Sequence, residues 1–311
     1  MVRAWRLKKG REAEMGLVYC CPTRGKPEYL DDMVWESMEK ARLPDTKFVI
    51  GIDEDEQELY ANSKLRKDER VIWSCEPRED SLGAKFNRVQ SVGAQIEDAD
   101  WFIMGVDDLA IQSIAWDVNV SQLAEHYPDG IGCVNFGRQW NEPGMPAFQM
   151  LSKKFIELNG FFMAPFFPFW WHDTWNLEMS RMIGRDCYLD VEVRYPQKEP
   201  MTPRRDISFW ALYFDLMRPA RVQKAREIIL VSDSPAFLKY QLIQRLDTLV
   251  QEFEQRNARC RDPLWTMKFQ AERVTDQLDA RHERLLAKAQ SVLRAIEQHS
   301  AEALEEESRA A

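Results

Sequence analysis

The chain has 311 residues, of which 45% are hydrophobic, 30% charged and 11% aromatic, a composition that supports a buried core and excludes a disordered or fibrous chain. Its 51 acidic and 42 basic residues leave a formal charge of −9, the wrong sign for broad contact with nucleic-acid phosphates. The basic N-terminus leads into no secretory apolar run, no stretch approaches the roughly 18 apolar residues of a membrane helix, and the six cysteines form no CxxC pair, so a cytoplasmic protein with reduced thiols is expected.

After a flexible segment at 1–15, the apolar run Gly16–Cys21 reads as a strand stopped by Pro22-Thr23-Arg24-Gly25. Leu30, Met33, Val34, Ser37, Met38 and Ala41 recur at helical spacing and predict a helix over Glu28–Arg42, ended by Pro44. A strand at Lys47–Ile52 then runs into Asp53-Glu54-Asp55-Glu56. Strand, helix, strand is the rhythm of a parallel α/β sheet. It continues with strands at Arg70–Ser74 and Trp101–Val106, a helix over Gly83–Ile96 between them, and a helix around Ile111–Val120.

Further on, the pattern predicts a strand at Ile131–Asn135, an irregular Gly-, Pro- and aromatic-rich segment up to Trp171, a helix at Thr174–Ile183 and a strand at Tyr188–Val193. Ile207–Met217 reads as a helix broken by Pro219. Beyond it, Leu242, Leu246, Leu249 and Phe253 mark an amphipathic helix, a last helix is expected over Asp262–His299, and Ala301–Ala311 reads as a frayed tail. Such helices must cover an apolar stripe on the α/β domain or on a partner chain, and a homo-oligomer through them is one expected outcome.

Ligands of open parallel sheets bind beyond the carboxyl ends of the strands. Polar clusters fall at four such predicted edges: Thr23 and Arg24, Asp53 to Asp55, Lys85 to Asn87, and Asp107-Asp108. Adjacent carboxylates suit Mg²⁺ or Mn²⁺, which take one or two protein carboxylates and fill the remaining positions with water and phosphate. The alternative for Asp107 and Asp108 is to cap the following helix.

The succession of CPTRG, IDED, LGAKFNR and WFIMGVDDL, each at the edge of a predicted strand or helix, resembles the nucleotide-sugar-binding half of GT-A glycosyltransferases, especially family 2-like enzymes, over roughly Gly16–Phe214. The resemblance implies an α/β, Rossmann-like GT-A fold over 16–218, with a mixed, mostly parallel sheet flanked by helices, and a helical extension over 219–300. It implies a nucleotide diphosphate sugar donor, with Thr23 and Arg24 at the nucleotide, Asp53 at the base, and Asp107 with Asp108 holding Mn²⁺ or Mg²⁺ on the diphosphate. Lys85, Asn87 and Arg88 belong to the same expected donor site, Lys85 as a point charge for phosphate. Where relatives carry a late metal-binding His, this chain reads Val191-Glu-Val-Arg194-Tyr-Pro196. Arg194 is then a candidate to replace part of the cation, and His172 a candidate further metal ligand.

The resemblance also implies a general base in the segment Phe166–Trp175, where Asp173 is the matching carboxylate; its alternative is an N-cap for the helix that follows. Trp140, Trp170, Trp171 and Trp175 are candidates to line an acceptor groove, or to fill a core. Asp206 is a further family-like acidic position. The activity expected is a hexosyltransferase reaction, inverting and metal-assisted, onto a glycan, lipid-linked, protein or nucleic-acid acceptor. A non-catalytic scaffold assembling through its C-terminal helices and a nucleotidyltransferase are the competing readings.

Overall fold

A computed structural model describes residues 16–79, 81–138, 146–167, 171–195, 210, 213–215 and 217–257. The expectations for 1–15, 262–299 and 301–311, most of the 207–217 helix, and Trp140, Trp170 and Asp206 lie outside the described residues.

β1 (Gly16–Pro22), β2 (Lys47–Asp53), β3 (Val71–Glu76) and β4 (Ala99–Met104) are parallel, and each of β1, β2 and β4 is almost wholly buried. Burial on both faces explains why these strands read as continuous apolar runs rather than alternating ones. The sheet continues through β6 (Cys133–Arg138), β7 (Pro146–Ser152) and β8 (Asp186–Leu189) in the order β3-β2-β1-β4-β7-β6-β8. β7 runs antiparallel to both neighbours, β4 and β6, which makes the sheet mixed. A second, two-stranded ribbon pairs β5 (Ala110–Ile111) with β9 (Val193–Arg194).

Alternate side chains of the strands serve two cores. On one face Val18, Cys20, Val49, Phe102 and Met104 meet α2 (Leu82–Gly93), α4 (Lys153–Asn159) and α5 (His172–Met182), together with the C-terminal helices α6 (Arg218–Val231) and α7 (Ala236–Asn257). On the other, Leu17, Tyr19, Phe48, Ile50 and Ile103 meet the helical run α1 at 27–40 and α3 (Trp116–Ala124). Ile228, Ile229, Leu242 and Leu246 are buried in the first core, so the described part of the helical extension lays its apolar stripe on its own α/β domain. The described cysteines, Cys20, Cys21, Cys75, Cys133 and Cys187, are free thiols, and no helix among the described residues is long and apolar enough to cross a membrane.

Several stretches differ from the sequence expectations. The segment read as irregular contains β7 and α4: Pro146 opens the strand, where its missing N–H costs least, and complete burial of the strand leaves no alternation to read. The helix expected from Ile111 starts only at Trp116, because Ala110 and Ile111 pair with β9, and the strand expected over 188–193 is split between β8 and β9. Pro219, read as a breaker, sits in the first turn of α6, where its fixed φ suits a helix start.

Candidate active site

The parallel strands β1, β2 and β4 end side by side. The Thr23 N–H donates to the Gly51 carbonyl at 2.8 Å, and the Gly105 N–H donates to the Cys20 carbonyl at 2.9 Å, so the residues just past each strand converge. α2 follows β3 and therefore starts at this same edge, capped by Ser81, whose hydroxyl accepts from the Ala84 N–H at 3.0 Å.

Thr23 is buried, and its hydroxyl lies 2.6 Å from Asp107 Oδ2, to which it donates, and 3.0 Å from the Tyr60 hydroxyl. That phenol accepts the Lys26 N–H at 3.1 Å. The Lys26 ammonium extends to Asp108 Oδ2 at 3.2 Å and Asp107 Oδ1 at 3.5 Å. Burial pushes the Asp107 carboxyl above its ordinary value, with Lys26 opposing. Burial alone would lower the Lys26 pKa, but the two carboxylates outweigh it and raise it, keeping the ammonium charged. Neither aspartate caps α3, whose N-terminus is at Trp116.

Asp53 ends β2 with no side-chain exposure. Its Oδ2 accepts from Arg24 at 2.7 Å and from Lys85, and its Oδ1 accepts from Arg88 at 3.3 Å. Burial would raise its pKa, yet Lys85, Arg24 and Arg88 together hold it below the usual carboxylate range. Arg24 also forks onto Asp55 at 2.7 and 2.8 Å. The carboxylate expected at the base is thus saturated by cations, whereas Arg24 and Lys26 are each 32% exposed at this edge. Asn87 is spent on the backbone: its Oδ1 accepts the Phe162 and Met163 N–H groups at 2.9 Å, and its Nδ2 donates to the Met163 carbonyl at 2.7 Å.

Those Asn87 bonds clamp the loop before α5 onto α2. Gly83 permits the close approach, since a Cβ there would stand 2.5 Å from the Ala164 carbonyl oxygen. The clamp brings the start of α5 to the N-terminal half of α2, with the His172 and Phe86 rings 5.9 Å apart. Asp173, next along α5, accepts from the Thr174 N–H at 2.7 Å. It lies one residue from a side chain packed on the neighbour of Lys85. His172 itself is buried; desolvation pushes its imidazole below the ordinary value, against the pull of Asp173.

Of the two expected roles for the tryptophans, groove lining or core, the structure bears on Trp171 and Trp175. Trp175 is 3% exposed and lies among Phe161, Phe166, Phe167 and Phe214, with the Arg221 guanidinium 5.1 Å from its ring, so it is core rather than groove lining. Trp171, at φ 75° at the N-terminus of α5, lies 5.3 Å from the Phe214 ring.

The resemblance places a divalent cation at Asp107 and Asp108. Among the described residues no group of three or more His, Cys, Asp or Glu side chains could hold a metal ion, so His172 does not join Asp107 and Asp108 as a third ligand. Arg194, the expected partial substitute, is held elsewhere, on Glu36 Oε2 at 2.7 Å and Asp32 Oδ2 at 3.1 Å. Lys26 already stands against both carboxylates, so the pair that would hold Mn²⁺ or Mg²⁺ is taken up by an ammonium and does not fit a resident metal as it stands. Lys26 and Tyr60 were not singled out by sequence reasoning; the one available signal was the proximity of Lys26 to the CPTRG turn.

No family model matches the chain, and no curated protein matches it in sequence. Its fold is similar to that of solved structures. S. aureus TarS 1-349 in complex with UDP-GlcNAc aligns at a TM-score of 0.53 and 12% identity over 92% of each chain. A second crystal structure of S. aureus TarS 1-349 aligns at a TM-score of 0.51 and 12% identity, again over 92% of each chain. Mannosyltransferase PcManGT from Pyrobaculum calidifontis, in complex with GDP-Man and Mn2+, aligns at 0.49 and 10% identity over 89% of this chain and 86% of that one. The strand order, the reversed β7 and the TarS alignments show that this chain has the GT-A-like α/β fold.

Proposed function

We propose that the chain transfers a sugar from a nucleotide diphosphate sugar to an acceptor hydroxyl, by a single displacement that inverts the anomeric centre. The observation that carries this reading is the convergence of Arg24, Lys26, Lys85 and Arg88 with Asp53, Asp107 and Asp108 at the carboxyl edge of β1, β2 and β4. Likeness in fold to TarS, solved with UDP-GlcNAc, supports it. Arg24 is planar and partly exposed; to fork onto phosphate it would release the exposed Asp55, while its plane is suited to stack on a base. Lys26 and Lys85 supply positive charge where the leaving diphosphate gains negative charge. Asp173 takes the proton of the acceptor hydroxyl as that oxygen bonds to the anomeric carbon, and the nucleoside diphosphate departs with the electron pair of the broken bond.

A thermal-shift screen of nucleotide sugars, nucleoside diphosphates and nucleoside triphosphates tests the reading, because a ligand that binds only the folded state raises Tm. A rise with one nucleotide sugar, lost in Arg24→Ala, and release of its nucleoside diphosphate in the presence of acceptor are expected. Turnover of a triphosphate instead would favour a nucleotidyltransferase, and no shift with any nucleotide would favour a scaffold.

A further inference from the structure

We propose that the Lys26 ammonium is the standing cation of this site, occupying the place between Asp107 and Asp108 and keeping divalent metal out. The half of the proposal that concerns the diphosphate rests on the nucleotide-sugar reading above; the half that concerns the cation does not.

The backbone of Lys26 is fixed in that place. Its N–H donates to the Tyr60 hydroxyl at 3.1 Å, its carbonyl accepts the Leu30 N–H at 3.0 Å, and Gly25 before it turns at φ +68°, a conformation that favours glycine. From this anchor the side chain reaches Asp108 at 3.2 Å and Asp107 at 3.5 Å. Asp107 is held to face it, because its other oxygen accepts the Thr23 hydroxyl at 2.6 Å. Thr23, Tyr60, Lys26 and Asp107 therefore form one closed circuit, in which the same phenol sets both the lysine backbone and the threonine that orients the carboxylate.

An ammonium carries three donors. Two reach the carboxylates, which leaves one for a phosphate oxygen. Without a positive charge here, a diphosphate would meet two carboxylates side by side and be repelled. A divalent ion would have to displace Lys26 to reach them, because the ammonium already stands against both carboxylates, at 3.2 and 3.5 Å. Removing the amine while keeping the chain length should uncover the carboxylate pair and convert the site to one that takes metal.

The test uses the full chain and two separate readouts. Mn²⁺ binding to the protein without nucleotide is followed by the electron paramagnetic resonance signal of free Mn²⁺, for wild type, K26Q, K26R and K26Q/D108N, each first checked for a folded circular-dichroism spectrum. Wild type and K26R should leave Mn²⁺ free. K26Q should bind one ion at least tenfold more tightly than wild type, and K26Q/D108N should lose it. A wild type that binds one Mn²⁺ as tightly as K26Q, or a K26Q that binds no more than wild type, overturns the proposal.

The second readout is binding of UDP and of GDP by calorimetry, in EDTA and in Mn²⁺. Wild type should bind its preferred diphosphate equally in both, whereas K26Q should lose tenfold or more in EDTA and recover in Mn²⁺. Wild-type binding that collapses in EDTA also overturns the proposal. Failure of every variant to bind either nucleotide counts against the nucleotide-sugar reading, and the Mn²⁺ titration still decides the role of Lys26.

Discussion

Lys85, in the first turn of α2, places its ammonium on the carboxylate of Asp53, the last residue of β2. The bond ties the helix to the end of its neighbouring strand. It also makes Asp53 the counter-charge for Arg24 and Arg88. Removing one partner of a buried ion pair leaves the other uncompensated and costs about 3 kcal/mol or more. Asp53→Ala is therefore expected to lower Tm by roughly 6–12 °C, and Asp53→Asn by less, because the amide oxygen still accepts. Thermal unfolding by circular dichroism measures both; an Asp53→Ala protein as stable as wild type would show that the cations find other partners.

Asp173 predicts a separation of binding from chemistry. Its carboxylate accepts from the Thr174 N–H within α5, an interaction that asparagine can keep. Asp173→Asn is expected to bind the donor as wild type does and to transfer sugar about 10²–10⁴-fold more slowly, the usual contribution of a general base. Single-turnover transfer alongside donor binding separates the two effects. Undiminished transfer would remove Asp173 from the reaction.

His172 gives stability a pH dependence with a defined sign. Burial depresses its folded-state pKa below the ordinary value of 6.5. Between the two values the unfolded chain binds more protons, so stability rises with pH there. The contribution is complete above about pH 6.5 and is lost as pH falls through the folded-state value. Urea unfolding from pH 7.5 to 5 should therefore show a decline that is shallower in His172→Phe. Parallel slopes for the two proteins would assign the pH dependence to other groups.

Trp175 is expected to act on stability rather than on the acceptor. It lies in an aromatic cluster with Phe161, Phe166, Phe167 and Phe214, and Arg221 lies over both its ring and that of Phe214, at 5.1 and 3.7 Å. Truncation of such a buried ring costs about 3–5 kcal/mol. Trp175→Ala should lose that much in urea denaturation while donor affinity, measured well below its Tm, stays unchanged. Unaltered stability with a raised acceptor KM would instead place the ring in an acceptor groove.

The parallel-sheet rhythm was legible in the sequence because strands buried on both faces are apolar throughout, and Thr23, Arg24, Asp53, Lys85, Asp107 and Asp108 were legible as edge residues because each follows such a strand or opens the next helix. β7 was not, since a fully buried strand carries no alternation and its opening Pro146 continues a Gly- and Pro-rich run that reads as loop. The local sequence left Trp175 open between an acceptor groove and a core and placed Asp53 at a strand end without its partners; packing puts the first in an aromatic core and saturates the second with cations. The sequence by itself determined which strand ends would carry polar groups. Only the tertiary structure decided which groups meet there: Lys26 and Asp108 stand 82 residues apart along the chain and 3.2 Å apart in space, a pairing set by parallel strands ending side by side and by no local pattern.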